Sequence, residues 1–295
     1  MTKKVCLIYT DAGGGHKTTA IAFEEIIKGE WPNWHIKKIN FYKDIMYPLD
    51  PLYRLFRVSS EEVHNFLLKH NYEFLVKWFA QLAKKIIKYY SEAGKQILES
   101  LWSKEKPDLV ISFIPGVNNT ISSSIKNYSP SLPFIIMITD FSEWISPFWI
   151  GNKEPYYICG TKLVENQLLA YGVPSNKIHS LSGMVIRPSF YRVQRDEISK
   201  LKSFLKLKED LPTGLVMFGG YGNKSMRKIL QLLQDRQDMQ LIFICGKNPP
   251  LMKQLMKKTI LHKVVVGFTK EIAVFMSICD FFIGKPGPGT ISEAV

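Results

Sequence analysis

Short, continuous apolar runs alternate along the chain with longer stretches in which apolar residues return every three or four positions. Val5–Tyr9, Asp108–Phe113, Phe134–Thr139 and Tyr156–Cys159 are of the first kind and predict strands, and His35–Phe41 and Ile178–Leu181 are read as strands as well. Continuous apolar runs such as Phe134–Thr139 predict strands covered on both faces, as in a parallel sheet. Helices are predicted from Lys17 to Lys28 and from Lys162 to Tyr171. A longer helical pattern spans residues 61–101. There Leu75, Trp78, Phe79, Leu82, Ile86, Tyr89, Ala93 and Ile97 share one face, with Lys77, Lys84, Lys88 and Lys95 opposite.

Arg187-Pro188 and the polar residues up to about Asp196 read as a linker. The alternation then restarts, with strands Gly214–Phe218, Gln240–Cys245, Lys263–Val266 and Phe281–Ile283. Helices are predicted up to about Asp235, around Leu251–Lys258 and from Glu271. Two successive strand–helix arrays imply an α/β protein of two doubly wound, Rossmann-like domains, 1–187 and 188–295, facing a cleft.

Composition narrows this picture. The 295 residues are 46% apolar, and 16 prolines and 19 glycines are spread along the chain, so large cores are expected and disorder is not. No run reaches the roughly 18–20 apolar residues of a membrane span. The first apolar run is too short for a signal peptide and leads into Asp11 and a glycine cluster, so a cytosolic protein is expected. Cys6, Cys159, Cys245 and Cys279 lie far apart in or beside predicted strands, a pattern of reduced thiols and not of a disulfide framework or zinc site. The net charge of +13 would attract an anionic membrane, a phosphorylated substrate or nucleic acid. No compact basic motif or recognition helix accompanies it, which disfavours nucleic acid.

Asp11-Ala-Gly-Gly-Gly-His-Lys-Thr resembles a phosphate-binding P-loop, but His16 stands where that motif needs glycine. What remains is a flexible turn presenting His16 at a helix N-terminus, where it could act as general base or could simply end a tight turn. In the second half, Gly219-Gly220, Gly246, Gly267 and Gly287–Gly289 each follow a predicted strand. Four such loops on one half-sheet argue for a nucleotide-diphosphate site. The last leads into Thr290-Ile-Ser-Glu293, where a first-turn carboxylate could take ribose hydroxyls. Val295 leaves barely one turn of that helix, so the chain is expected to stop inside its ligand-binding domain. The lysine stripe reads as a solvated face or a docking surface for anionic lipid. Trp144, Phe148 and Trp149 lie in an aromatic stretch without clear period, suited to acceptor or membrane contact or to packing beneath a helix.

In combination, several of these motifs resemble the monogalactosyldiacylglycerol synthase and processive diacylglycerol glucosyltransferase group, GT-B enzymes related to the peptidoglycan GlcNAc transferase. The resemblance rests on Asp11-Ala-Gly-Gly-Gly-His16, Lys106-Pro-Asp108, Thr139-Asp140-Phe141, Gly183-Met-Val-Ile-Arg187-Pro-Ser-Phe190, Gly219-Gly220, Ile244-Cys-Gly246-Lys-Asn248, Gly267-Phe268 and Lys285-Pro-Gly-Pro-Gly-Thr-Ile-Ser-Glu293-Ala. It implies a GT-B fold and an inverting transfer of a hexose from UDP-galactose or UDP-glucose to diacylglycerol, with no required metal or cofactor. His16 and Asp140 would be catalytic. The donor would meet Gly14, Gly15, Arg187, Gly219, Gly220, Gly246, Gly267, Phe268, Thr269, Gly287, Gly289, Thr290 and Glu293. Trp144, Trp149, Lys77, Lys84 and Lys88 would face the acceptor or an anionic membrane, to whose cytoplasmic side the protein would bind peripherally. One departure is visible: the family has a histidine a few residues after Thr-Asp, whereas here Phe141-Ser-Glu-Trp-Ile145 follows.

Overall fold

The computed structural model describes residues 2–11, 15–47, 49, 51–58, 62–63, 66, 91–257 and 259–295. The chain divides into two units, Met1–Arg187 and Pro188–Val295.

The first unit is built on six strands: β1 (Lys4–Tyr9), β2 (His35–Asn40), β3 (Leu109–Ser112), β4 (Phe134–Met137), β5 (Tyr156–Cys159) and β6 (Ile178–Ser180). All pair in parallel, in the order β2-β1-β3-β4-β5-β6. The continuous apolar run of β1 follows from this position, since successive side chains of a strand point to opposite faces. Cys6 and Ile8 enter one core with Leu98 and Trp102, while Val5 and Leu7 enter the other with Ala20 and Ile27. Helices α1 (Gly15–Glu30), α2 (Pro51–Phe56), α3 (Ser91–Glu105), α4 (Asn118–Tyr128) and α5 (Lys162–Ala170) connect the strands. Of the long helical pattern predicted over 61–101, α3 accounts for the end; Lys77, Lys84 and Lys88 lie outside the described residues.

Two features of this unit depart from the sequence pattern. Phe41, expected in the second strand, opens a π-helical turn, Phe41–Met46. The buried Asn40 causes it: its Oδ1 accepts from the Lys43 N–H at 3.2 Å, and its own N–H donates to the Asp44 carboxylate at 2.8 Å. Such local side-chain bonds compete with the strand ladder. Helix α4, with sequence NNTISSSIKNY, was not anticipated because serine and asparagine hold few positions in an amphipathic pattern. Tertiary packing supports it. Ile121 and Ile125 join the core, and the fully buried Trp102 of α3 donates from Nε1 to Ser124 Oγ at 2.9 Å.

The second unit carries β7 (Thr213–Met217), β8 (Gln240–Ile244), β9 (His262–Val266) and β10 (Phe281–Gly284), parallel and in the order β10-β7-β8-β9. Its helices are α6 (Arg195–Phe204), α7 (Ser225–Leu233), α8 (Pro249–Leu255), α9 (Ile272–Ser277) and α10 (Pro288–Ala294). Helix α6 begins where the expected linker ends, over residues for which no element was predicted. The Glu197 side chain returns to the Gln194 N–H at 3.0 Å in a capping box, and Ile198 and Leu201 pack against the Leu215–Ile242 core. At the amino-terminal ends of β7 and β8, the buried Gln240 donates to the carbonyl of Lys208 at 2.7 Å and to Thr213 Oγ1 at 2.9 Å, and accepts from the Lys208 N–H at 3.0 Å. This satisfies an amide that would otherwise be costly to bury.

The four cysteines are free thiols, three buried and Cys279 half-buried. Burial pushes Cys6 and Cys279 up to about 12 and Cys245 up to about 11, so these side chains act as small apolar groups. No helix among the described residues is long and apolar enough to cross a membrane.

Trp102→Ala is expected to destabilise the first unit by about 3–5 kcal/mol through the cavity it leaves. Ser124→Ala, which strands the indole N–H, should cost about 1–3 kcal/mol. Urea unfolding of each variant, followed by far-UV circular dichroism, checks both values.

Candidate functional site

In a parallel sheet the strand order reverses at one point, and the loops leaving the strands there diverge to form a crevice. In the first unit the chain steps from β1 outward to β2 and then back across to β3. Residues 12–14, including the predicted Gly14, lie outside the described set; Gly15 opens α1 and its carbonyl accepts from Thr19 Oγ1 at 3.0 Å. His16 is therefore the second residue of α1, half-buried at the carboxyl ends of the strands.

Two residues past β4, the buried Thr139 places its Oγ1 2.9 Å from His16 Nδ1. The next residue, Asp140, accepts a 2.6 Å hydrogen bond from Trp149 Nε1. The Trp149 and His16 rings lie 5.9 Å apart, inclined at 56°. Burial lowers the His16 pKa from its ordinary value, opposed by the charge of Asp140 and by a backbone hydrogen bond at Phe113. Burial thus favours the neutral imidazole, the form able to accept a proton.

The aromatic stretch 141–150 divides into an outward and an inward part. Trp144 is 84% exposed. Trp149 has no exposed surface, so the expectation that it touches acceptor or membrane is corrected: it is packed inside. Three distant groups pull the stretch inward. Phe148 O accepts from the Gly116 N–H at 2.7 Å, Trp149 O accepts from Asn118 Nδ2 at 3.0 Å, and the Ile145 N–H donates to Gln167 Oε1 at 2.6 Å. Gly116 has φ +87°, a conformation in which a side chain would be strained.

A second polar cluster anchors the start of the glycine turn. Asp11 pairs with Lys17 at 2.7 Å and Lys43 at 2.6 Å, and accepts from Asn40 Nδ2 at 3.0 Å. Burial alone would raise its pKa, but the two lysines outweigh that and hold the carboxyl below its usual range. Lys43 and Asn40 carry no motif in the sequence. Only the β1–β2 register, Tyr9 opposite Asn40, brings them to Asp11.

In the second unit the ladder register aligns Gly284 with Met217, Met217 with Ile244, and Ile244 with Val266. The four glycine loops therefore leave one edge side by side. The first two interlock. Gly220 O accepts from the Lys247 N–H at 2.8 Å, and Asn248 Nδ2 donates to Tyr221 O at 2.9 Å. Gly246 has φ +58°, and a Cβ there would sit 2.2 Å from Gly220 O, so no other residue fits without moving both loops. Lys247 Nζ stands 5.1 Å over the ring of Phe268, which is 56% exposed, and so joins the third loop to the second. The neighbouring Gly267 and Thr269 flank that ring; Thr269 Oγ1 accepts from the Glu271 N–H at 3.1 Å. In the fourth loop Gly287 caps α10, and nothing lies within 4 Å of the Cβ positions of Gly219, Gly220 or Gly289. Thr290 and Glu293 are half-buried in the same short helix. Arg187 is half-buried at the end of the first unit. Lys247 stands in the Gly246-Lys-Asn248 motif but gains no role from the sequence, because a lone loop lysine gives no periodic signal.

Comparison with known proteins places this geometry. Monogalactosyldiacylglycerol synthase 3 of Arabidopsis thaliana is 28% identical over 99% of this chain and 64% of its own length. A processive diacylglycerol beta-glucosyltransferase of Bacillus cereus is 28% identical over 82% of this chain and 57% of its own. The chain thus spans less than two thirds of the length of these relatives. Among solved structures, MurG of Acinetobacter baumannii aligns at TM-score 0.55 and 12% identity over 99% of this chain and 74% of its own. A UDP-GlcNAc 2-epimerase from Neisseria meningitidis aligns at TM-score 0.53 and 15% identity over 96% of this chain and 78% of its own. These two similarities establish the GT-B-type fold and no more. Residues 34–186 match the family described as Monogalactosyldiacylglycerol (MGDG) synthase, and with more than half of the chain inside that match the protein belongs to this family.

Proposed function

We propose that the protein is an inverting glycosyltransferase that moves a hexose from a UDP-sugar to the hydroxyl of diacylglycerol or a similar lipid. The observation that carries this reading is the neutral His16, oriented by Thr139 and faced by Asp140, in a chain that belongs to the MGDG synthase family. Its imidazole takes the proton of the acceptor hydroxyl as the oxygen attacks the anomeric carbon. The bond between that carbon and the phosphate oxygen breaks, UDP departs with the electron pair, and the configuration at carbon inverts. Asp140 stabilises the imidazolium that forms.

The departing diphosphate develops negative charge. The open backbone at Gly219, Gly220 and Gly289 is suited to receive it, with Gly287 and Arg187 as further donor contacts. The exposed face of Phe268 suits the uracil, with Gly246, Gly267 and Thr269 shaping that end, and Thr290 and Glu293 suit the ribose. Trp144 and the net charge of +13 support peripheral binding to an anionic membrane surface, on its cytoplasmic side. Because Phe141–Ile145 replaces the family's histidine-bearing segment, acceptors other than diacylglycerol belong in the test.

The protein is incubated with UDP-glucose or UDP-galactose and anionic vesicles carrying diacylglycerol or another hydroxyl lipid, and the lipids are read by mass spectrometry. A hexosyl lipid is the expected product; UDP-sugar left intact with every acceptor would overturn the reading. His16→Asn should lower kcat by about 10²–10⁴-fold while UDP binding, measured by calorimetry, is kept. The wild-type rate should fall on the acid side with a midpoint below pH 6.5, because the His16 pKa is lowered from that value. Gly246→Val should abolish UDP binding in the same calorimetric experiment, since its side chain would collide with Gly220 O.

A further inference from the structure

We propose that Trp149 is a positioning residue for His16, its indole N–H clamping the Asp140 carboxylate where that charge faces the imidazole. The proposal rests on the reading of His16 as the base. A tryptophan this deep could serve as packing alone, and Phe would do that nearly as well. Three contacts say more. The indole N–H meets Asp140 Oδ2 at 2.6 Å, the short end of the range for a charge-assisted bond. The same ring lies 5.9 Å from the His16 ring, and Thr139, bonded to His16 Nδ1, is the residue before Asp140. Trp149 is itself fixed from behind by the buried Asn118, whose amide donates to its carbonyl. Asn118, Trp149 and Asp140 thus form a hydrogen-bonded chain whose final carboxylate acts on His16 through its charge.

The charged groups around His16 leave Asp140 the deciding one among the described residues. Lys17, next on the same helix, is paired with Asp11, which also holds Lys43 from the turn after β2. Thr139, Trp149 and the Phe113 backbone, the other described partners of His16, carry no charge at neutral pH. Without the indole donor, the half-buried Asp140 carboxylate turns toward water for its hydrogen bonds and away from the imidazole.

The test is the His16 titration followed by NMR on histidine-labelled protein, a readout independent of turnover. Trp149→Phe should move the His16 midpoint to lower pH, and Asp140→Asn should do the same. The double variant should titrate like Asp140→Asn alone, because the tryptophan acts only through the carboxylate. Should Trp149→Phe fail to fold, 3-benzothienylalanine at position 149 keeps the shape of the indole and removes only the N–H. In kinetics either replacement should lower kcat about tenfold with the UDP-sugar KM unchanged. An unchanged or raised His16 midpoint in the 149 variants, or a further fall in the double variant, overturns the proposal. A transfer reaction that survives His16→Asn undiminished would instead sink the reading of His16 as base, whatever the titration shows.

Discussion

Both units depend on the parallel pairing of their strands. A parallel strand must be followed by a crossover, so every loop that leaves the carboxyl end of a strand emerges on the same edge of its sheet. The ladder of the second unit, from Gly284 through Met217 and Ile244 to Val266, therefore lines up four loops that are far apart in sequence. In the first unit the same rule brings the residues after β1, β3 and β4 to one crevice, where His16, Phe113 and Thr139 meet. Burial on both faces keeps these strands in register. A one-residue slip of β1 would exchange the core that holds Cys6 and Ile8 for the core that holds Val5 and Leu7.

That double burial is also why β1, β3, β4, β7 and β8 were legible. An apolar run with no polar interruption has few readings other than a covered strand, and the strand predictions differ from the structure by only a residue or two at their ends. Helices α4 and α6 were not legible for complementary reasons. Helix α4 spends its apolar residues on the core through Ile121 and Ile125 while its other positions are serine, asparagine and threonine. Helix α6 buries no residue fully and follows directly on the polar stretch read as linker, so nothing marked it as an element. In both cases stability comes from contacts with distant residues, which a local window does not contain.

The site divides along the same line. His16 and the glycine loops were legible because each sits at a fixed offset from a readable strand. The fate of the aromatic stretch was not, because nothing local separates Trp144 from Trp149. The difference between 84% exposure and none is set by Gly116, Asn118 and Gln167, which lie on other elements. Asp11 shows the same limit. Its place in a glycine-rich motif is visible, but the pairing with Lys43 exists only because β2 lies beside β1.

Asp11 and Asp140 are partnered differently, and the difference bears on the proton affinity of His16 in a basic protein. Burial already favours the neutral imidazole, and uncompensated lysines nearby would depress its proton affinity further. A base too weak gains little in taking a proton from an alcohol, so the depression has to be held in check. Asp11 spends its charge on Lys17 and Lys43 and removes them from the balance. Asp140 makes no ion pair among those described; its bond is to a neutral indole, which fixes its position without cancelling its charge. The partner chosen for each carboxylate thus decides its role: cations neutralise Asp11, and a neutral donor leaves Asp140 free to act on His16.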